Sequence, residues 1–146
     1  MNLSKFSDVL ENLIFDSGIS KQDFAKAAKI PLPCIVSYTK NHRAPTVATL
    51  LKIADYFKCS TDYLLGREES RSATTFKKCP PFAEQLEFLR NYYKFKDFVQ
   101  FRRATGLSKN RFLDWQNGKR QPSLENIIKM ADCFDCRVDF ILGRES

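Results

Sequence analysis

The stretch RAPTVATLLKIADYFKCSTDYLLGRE at residues 43–68 recurs in altered form as RQPSLENIIKMADCFDCRVDFILGRE at residues 120–145. Twelve of the 26 aligned pairs are identical, whereas unrelated segments would match at about one or two positions. Upstream, the same offset of 77 residues aligns Phe24 with Phe101 and Tyr38 with Trp115. The chain therefore contains a duplicated unit of about 65 residues, which is close to the smallest size that buries an independent core.

The repeat predicts two domains joined by a linker. We expect a first domain at residues 1–68, a linker at residues 69–80 and a second domain at residues 81–146. The linker segment is polar, shows no helical period and is followed by Pro81. Its 12 residues would span at most about 40 Å.

Hydrophobic spacing predicts an all-α fold with five helices in each domain and no strands. In the fourth helix of each copy the expected buried stripe consists of Leu50, Ile53, Ala54 and Phe57, matched by Ile127, Met130, Ala131 and Phe134. Thr46 and Ser123 are expected to cap these helices. Asn41 and Asn117-Gly118 are expected to end the third helix in the left-handed conformation. In the second helix of the second copy, Ala104 is expected to face inward beside Phe101.

The net charge of +7 is concentrated in two segments. Residues 21–43 carry +4 and residues 94–120 carry +6, so the remainder of the chain carries −3. A cluster of cations forms either an ordinary solvated surface or a site for a polyanion such as nucleic acid.

Composition argues against several classes of protein. One histidine, no glycine-rich phosphate loop and no nucleophile motif leave no residue set for catalysis, so we expect no enzyme and no cofactor. The CxxC pair Cys133 and Cys136 has no second ligand pair, so we expect no metal site. No apolar run approaches the roughly 18 residues of a membrane span, and an odd number of cysteines fits a reducing compartment. A cytoplasmic, nucleoid-associated protein without membrane contact is expected.

Two sets of motifs in order resemble the phage Cro/repressor-type (XRE) family of helix-turn-helix regulators. The fuller set is ATGLS at residues 104–108 followed by FLDWQNGKRQPSLENIIKMA at residues 112–131. A looser set is GISKQ at residues 18–22, FA at residues 24–25 and YTKNHRAPT at residues 38–46. The resemblance covers nearly the whole chain apart from the linker. It implies two tandem five-helix lambda-repressor-like DNA-binding domains, of bacterial or phage origin.

The resemblance further implies that the third helix of each domain lies in the major groove of double-stranded DNA. In the second copy the base-edge candidates are Lys109, Asn110, Arg111 and Asp114. These residue types can pair with guanine, adenine or cytosine edges. The phosphate candidates of this copy are Arg102, Arg103, Lys119 and Arg120. The alternative for Lys109–Arg111 is an ordinary solvated helix face.

The first copy has fewer polar side chains at the matching positions. Its weak base-edge candidates are Leu32, Cys34 and Ser37, and its phosphate candidates are Lys21, Gln22, Lys40, His42 and Arg43. We therefore hypothesise a sequence-specific transcriptional regulator, a repressor, that reads DNA mainly through the second copy. It would act as a homodimer or as a pseudo-dimer within one chain. The alternative is a protein-interaction module, such as an antitoxin or antirepressor, in which the first domain dimerises or binds a protein partner.

Overall fold

The computed structural model describes residues 3–71 and 76–145. All regular elements within those ranges are α-helices, and no strand occurs there, which confirms the predicted all-α class for the described residues. The chain divides into two compact units, Met1–Thr74 and Thr75–Ser146. Residues 72–75 of the expected linker lie outside the described residues.

The described residues of the first unit form five helices. They are α1 (Ser4–Ser17), α2 (Lys21–Ala28), α3 (Leu32–Lys40), α4 (Val47–Phe57) and α5 (Thr61–Leu64). Helix α1 packs against α3 and α5, and α2 packs against α3 and α4. The buried aromatic side chains Phe6, Phe24 and Tyr38 lie in the core that these contacts form.

The second unit also contains five helices among its described residues. They are α6 (Phe82–Tyr92), α7 (Phe98–Thr105), α8 (Lys109–Gln116), α9 (Leu124–Cys133) and α10 (Val138–Leu142). Helix α6 packs against α8 and α10, and α9 packs against α7 and α10. Phe101, Phe112 and Trp115 are buried in this core, with the ring centroids of Phe101 and Phe112 5.3 Å apart.

Local sequence explains where most of these helices begin. The Thr46 hydroxyl accepts a hydrogen bond from the Thr49 N–H, and the Ser123 hydroxyl accepts one from the Asn126 N–H, as expected for both caps. Helix α3 differs, because Pro31 precedes it and provides no side-chain cap. A proline near the start of a helix is tolerated because the first N–H groups have no intrahelical acceptor.

Three details of the sequence prediction are wrong. Asn41 has negative φ, and the left-handed residue of the first copy is the next one, His42, whereas in the second copy Gly118 of the predicted pair Asn117-Gly118 is left-handed. Ala104 is exposed and Thr105 is buried instead, because a residue four positions after Phe101 returns closer to the same face of the helix than one three positions after it. Phe134 is half-buried rather than part of the fully buried stripe.

Part of the expected linker contacts the second unit. The Phe76 ring lies over the Arg144 guanidinium, 3.9 Å from the ring centroid to Cζ, and the Lys77 N–H donates to the Arg144 carbonyl. Arg144 is only 1% exposed and pairs with the fully buried carboxylate of Asp139 at 3.1 Å. The chain before α6 thus covers a buried ion pair near the C-terminal end of the unit.

No helix in the described part of the chain is both long enough and apolar enough to cross a membrane.

Candidate nucleic-acid interface

Helices α7 and α8 are joined by a three-residue turn, Gly106 to Ser108. Gly106 has φ +71°, a left-handed conformation that ends α7, and Leu107 is buried beneath the turn. The Ser108 hydroxyl accepts a hydrogen bond from the Arg111 N–H and so caps α8. This sequence of left-handed residue, buried apolar residue and cap sets the two helices at a defined angle, which is the helix-turn-helix arrangement.

The first unit repeats this local geometry between α2 and α3 with different residues. Lys29 takes the left-handed position at φ +59°, and Ile30 is buried as Leu107 is. The Ile30 N–H donates to the Ala25 carbonyl at 2.9 Å, which closes the end of α2. A lysine in this conformation is strained, since the left-handed region is unfavourable for residues with a Cβ.

The first turn of α8 exposes three of the four base-edge candidates. Lys109, Asn110 and Arg111 are all exposed to solvent. Asp114 differs, because it is half-buried and its carboxylate lies 3.7 Å from the Arg120 Nε. Helix α8 therefore offers two cations and one amide at its N-terminal end, with an ion pair further along.

The phosphate candidates of the second unit fall in two places. Arg102 and Arg103 lie on α7, where the Arg102 guanidinium donates to the Leu107 carbonyl of the turn at 3.3 Å. Lys119 and Arg120 follow α8 and are exposed, and their N–H groups donate to the Asp114 carbonyl at 2.8 and 3.3 Å. These backbone bonds hold the segment after α8 close to the helix end.

An apolar groove of about 230 Å³ runs between α7 and α8. Its walls include Val99 and Leu113, which are 50% and 42% exposed, and its floor includes the buried ring of Phe112. Three cations expected from the sequence to contact DNA also line this groove: Arg102, Arg103 and Lys109. The fold thus places one base-edge candidate beside two phosphate candidates around an apolar surface.

Val99 and Leu113 were not predicted from the sequence as surface residues. Each lies off the buried face of its helix. That face carries Phe101 and Thr105 on α7, and Phe112 and Trp115 on α8. An apolar residue out of phase with the buried stripe is the sequence signal that would have identified both.

In the first unit the weak base-edge candidates lie on α3. Leu32 is 37% exposed, whereas Cys34 and Ser37 are half-buried. Val36 is 38% exposed on the same helix and occupies the position equivalent to Leu113. The exposed surface of α3 is therefore more apolar than that of α8.

The phosphate candidates of the first unit are mostly exposed. Gln22, Lys40, His42 and Arg43 are exposed, and the His42 backbone is left-handed at φ +54°. Lys21 is half-buried because its ammonium pairs with the Glu11 carboxylate at 3.2 Å. That ion pair neutralises part of the charge that Lys21 would offer a phosphate.

The cysteines of the described residues range from fully buried to exposed. Cys59 is fully buried, and the exposed Cys133 thiol donates to the Ala104 carbonyl at 2.9 Å. Within residues 3–71 and 76–145 no three His, Cys, Asp or Glu side chains are grouped so as to hold a metal ion. Burial raises the pKa of Tyr38 and of Tyr93, and a hydrogen bond with Cys136 raises that of Tyr93 further.

Comparison with known proteins points to the same kind of fold. Residues 16–64, inside the first unit, match a family model described as helix-turn-helix. The chain is 42% identical over 40 residues to the HTH-type transcriptional regulator AnsR of Bacillus subtilis (strain 168). It is 34% identical over 53 residues to the HTH-type transcriptional regulator ImmR of the same organism.

These similarities are partial. The two alignments cover 27% and 36% of this chain, and 34% and 42% of the relatives, so the chain spans less than half the length of either. No solved structure matches the chain significantly. The fuller motif set lies in the second copy, whereas the family match falls on the first. The similarity established by these comparisons is to a helix-turn-helix segment at residues 16–64.

Proposed function

We propose that this protein is a sequence-specific DNA-binding transcriptional regulator, a repressor, that reads the major groove mainly through α8. In this proposal both units are lambda-repressor-like domains, and residues 69–80 join them. The observation that carries the proposal is the solvent-exposed first turn of α8, where Lys109, Asn110 and Arg111 follow a capped helix start. The helix-turn-helix match at residues 16–64 and the two similar regulators support the same class of function.

Base reading is assigned to Lys109, Asn110 and Arg111 by their chemistry. Lysine and arginine donate to the O6 and N7 atoms of guanine, and asparagine can pair with adenine. Asp114 would accept from cytosine only after exchanging its ion pair with Arg120, so we rank it below the other three. Arg102, Arg103, Lys119 and Arg120 would contact phosphates, which fix register without reading sequence.

Selection of bound duplexes from a random DNA pool, followed by titration with variants, tests this assignment. Each good base contact discriminates by about 1–3 kcal/mol, so Arg111→Ala and Lys109→Ala should each weaken binding to the selected duplex by about 5- to 150-fold. Lys129→Ala is the matched control, because Lys129 is an exposed cation on α9 of the same unit. If the α8 variants bind like the control, the second unit is not the reader.

Phosphate contacts are separated from base contacts by salt dependence. Arg103→Ala and Lys119→Ala should weaken binding to the selected and to the random duplexes by the same factor. Each should also lower the magnitude of the slope of log K against log salt by about 0.9. Arg111→Ala should instead reduce the ratio of the affinity for the selected duplex to the affinity for the random duplex. An unchanged salt slope in both phosphate variants would remove Arg103 and Lys119 from the interface.

A second candidate function is protein binding through the first unit. The observation that favours it is the apolar exposed surface of α3, where Leu32 and Val36 are 37% and 38% exposed. Such residues suit a protein partner or a second copy of the chain better than a base edge with hydrogen-bonding groups. If the chain forms a homodimer through α3, the double variant Leu32→Ser with Val36→Ser should sediment as a monomer and should keep the DNA contacts of the second unit. If the double variant also loses DNA binding, α3 would instead lie on the DNA.

A further inference from the structure

We propose that the groove between α7 and α8 receives the 5-methyl group of one thymine in the bound duplex, with Leu113 and Val99 as the contacting side chains. This inference rests on the proposed function, since it places α8 in the major groove. It goes further by naming a base and two specificity-determining residues that are not polar.

The groove has the apolar surface that a methyl group requires. Leu113 and Val99 stand on facing helices, 42% and 50% exposed, and the Phe112 ring lies beneath them. Single exposed apolar residues are common and need no explanation. Here two of them line the same groove of about 230 Å³, so they share one apolar surface.

The charges beside the groove favour a polyanion as its occupant. Arg102, Arg103 and Lys109 line the same groove, and no acidic residue lines it in the described part of the chain. A duplex brings phosphates to these cations together with base edges to the space between them. Among the four bases, only thymine presents an apolar group in the major groove, so the other bases would leave polar atoms against apolar walls.

The first unit lacks this combination at the equivalent positions. Val36 replaces Leu113, but Ala25 stands where the second unit has Arg102, and Leu32 stands where it has Lys109. Gln22 takes the position of Val99. Thymine reading is therefore assigned to the second unit, and Val36→Ala becomes a matched control for Leu113→Ala.

The test replaces each thymine of the selected duplex in turn by deoxyuridine. Deoxyuridine lacks the 5-methyl group and keeps every hydrogen-bonding group of thymine. At one position the wild-type protein should bind the uracil duplex about fourfold more weakly, which is about 0.8 kcal/mol, the value of one buried methylene-sized group. Leu113→Ala should bind the thymine and uracil duplexes equally at that position, whereas Val36→Ala should retain the fourfold ratio.

Three results would overturn the inference. They are equal binding of all uracil duplexes by the wild type, discrimination retained by Leu113→Ala, and discrimination lost in Val36→Ala. Val99→Ala provides a second variant with the same expectation as Leu113→Ala, and thermal unfolding followed by Trp115 fluorescence checks that both variants are folded. If no duplex sequence is enriched at all, the proposed function itself fails; enrichment without methyl discrimination refutes only this inference.

Discussion

Replacing Phe76 by alanine tests whether the segment before α6 belongs to the fold of the second unit. In the structure the Phe76 ring covers the guanidinium of Arg144, 3.9 Å from centroid to Cζ. Arg144 is 1% exposed and pairs with Asp139, which is fully buried. Truncation of the ring would remove this cover and open the ion pair to water.

The expected cost follows from two contributions. A cation–π contact with a desolvated arginine contributes about 2 kcal/mol. Burial of a complete phenylalanine side chain contributes about 1.5–3 kcal/mol, of which a half-buried ring supplies roughly half. Because water partly resolvates the exposed guanidinium in the variant, we expect Phe76→Ala to lower the free energy of unfolding by about 2 kcal/mol. In a unit of this size that corresponds to a fall in Tm of roughly 10 °C.

Trp115 makes the second unit observable by itself. It is the single tryptophan of the chain and is 3% exposed in the second unit. Its fluorescence during thermal and urea unfolding of the intact chain therefore reports this unit. Phe76→Leu, which keeps apolar area and loses the ring, should show about half the effect of Phe76→Ala. Lys78→Ala, an exposed neighbour in the same segment, should change stability by less than about 0.5 kcal/mol.

A loss below about 0.5 kcal/mol in Phe76→Ala would refute the reasoning, because an ordinary surface substitution has that effect. Equal losses in Phe76→Leu and Phe76→Ala would refute the burial contribution alone, because leucine keeps apolar area and lacks the ring. The Phe76 side chain would then stabilise the unit only through the contact of its ring with the Arg144 guanidinium.

Three further predictions concern stability. Lys29→Gly should raise the free energy of unfolding of the first unit by about 0.5–1 kcal/mol, because the Lys29 backbone is left-handed and glycine adopts that conformation without strain. Urea unfolding followed by far-UV circular dichroism measures the change, and a lower free energy of unfolding would contradict the prediction. Gly118→Ala should lower the free energy of unfolding by about 1 kcal/mol, because Gly118 has positive φ. Gly143→Ala should lower it by about 3 kcal/mol, because the added Cβ would also lie 2.5 Å from the Gln85 Oε1. Equal shifts in Tm for the two variants would refute the clash at Gly143. Burial raises the pKa of Tyr93 above its ordinary value of 10.0, so the folded unit binds this proton more tightly than the unfolded chain. The contribution of this phenol to the free energy of unfolding is therefore fully present below about pH 10 and falls as the pH rises further. Urea titrations between about pH 8 and 11 should show a smaller fall in the free energy of unfolding for Tyr93→Phe than for the wild type.

The parts predicted well from sequence are those with local causes. The caps at Thr46 and Ser123 and the buried residues of α4 follow from side-chain chemistry and helical phase within one turn or two. The left-handed residue after the third helix was placed one position early in the first copy, whereas in the second copy the predicted pair Asn117-Gly118 contains it. Asparagine and glycine both tolerate positive φ, so residue type alone does not choose between neighbouring positions.

The candidate interface was predicted only in its polar part. Exposed cations such as Lys109 and Arg111 are identifiable because charged side chains rarely lie in a core. The pairing of Asp114 with Arg120 was not identifiable, since it depends on how the chain turns after α8. The groove formed by Val99 and Leu113 also depends on the packing of two helices against each other.

By itself the sequence determined the helical class, the caps at Thr46 and Ser123 and the internal sequence repeat, because hydrophobic period, caps and residue identity are properties of neighbouring or directly comparable residues. Only the tertiary structure decided that an arginine near the C-terminus is among the most buried side chains and that Phe76, from the expected linker, covers it. Burial of a charge depends on which distant residues pair with it and exclude water, and the linear order of residues does not encode that distance directly.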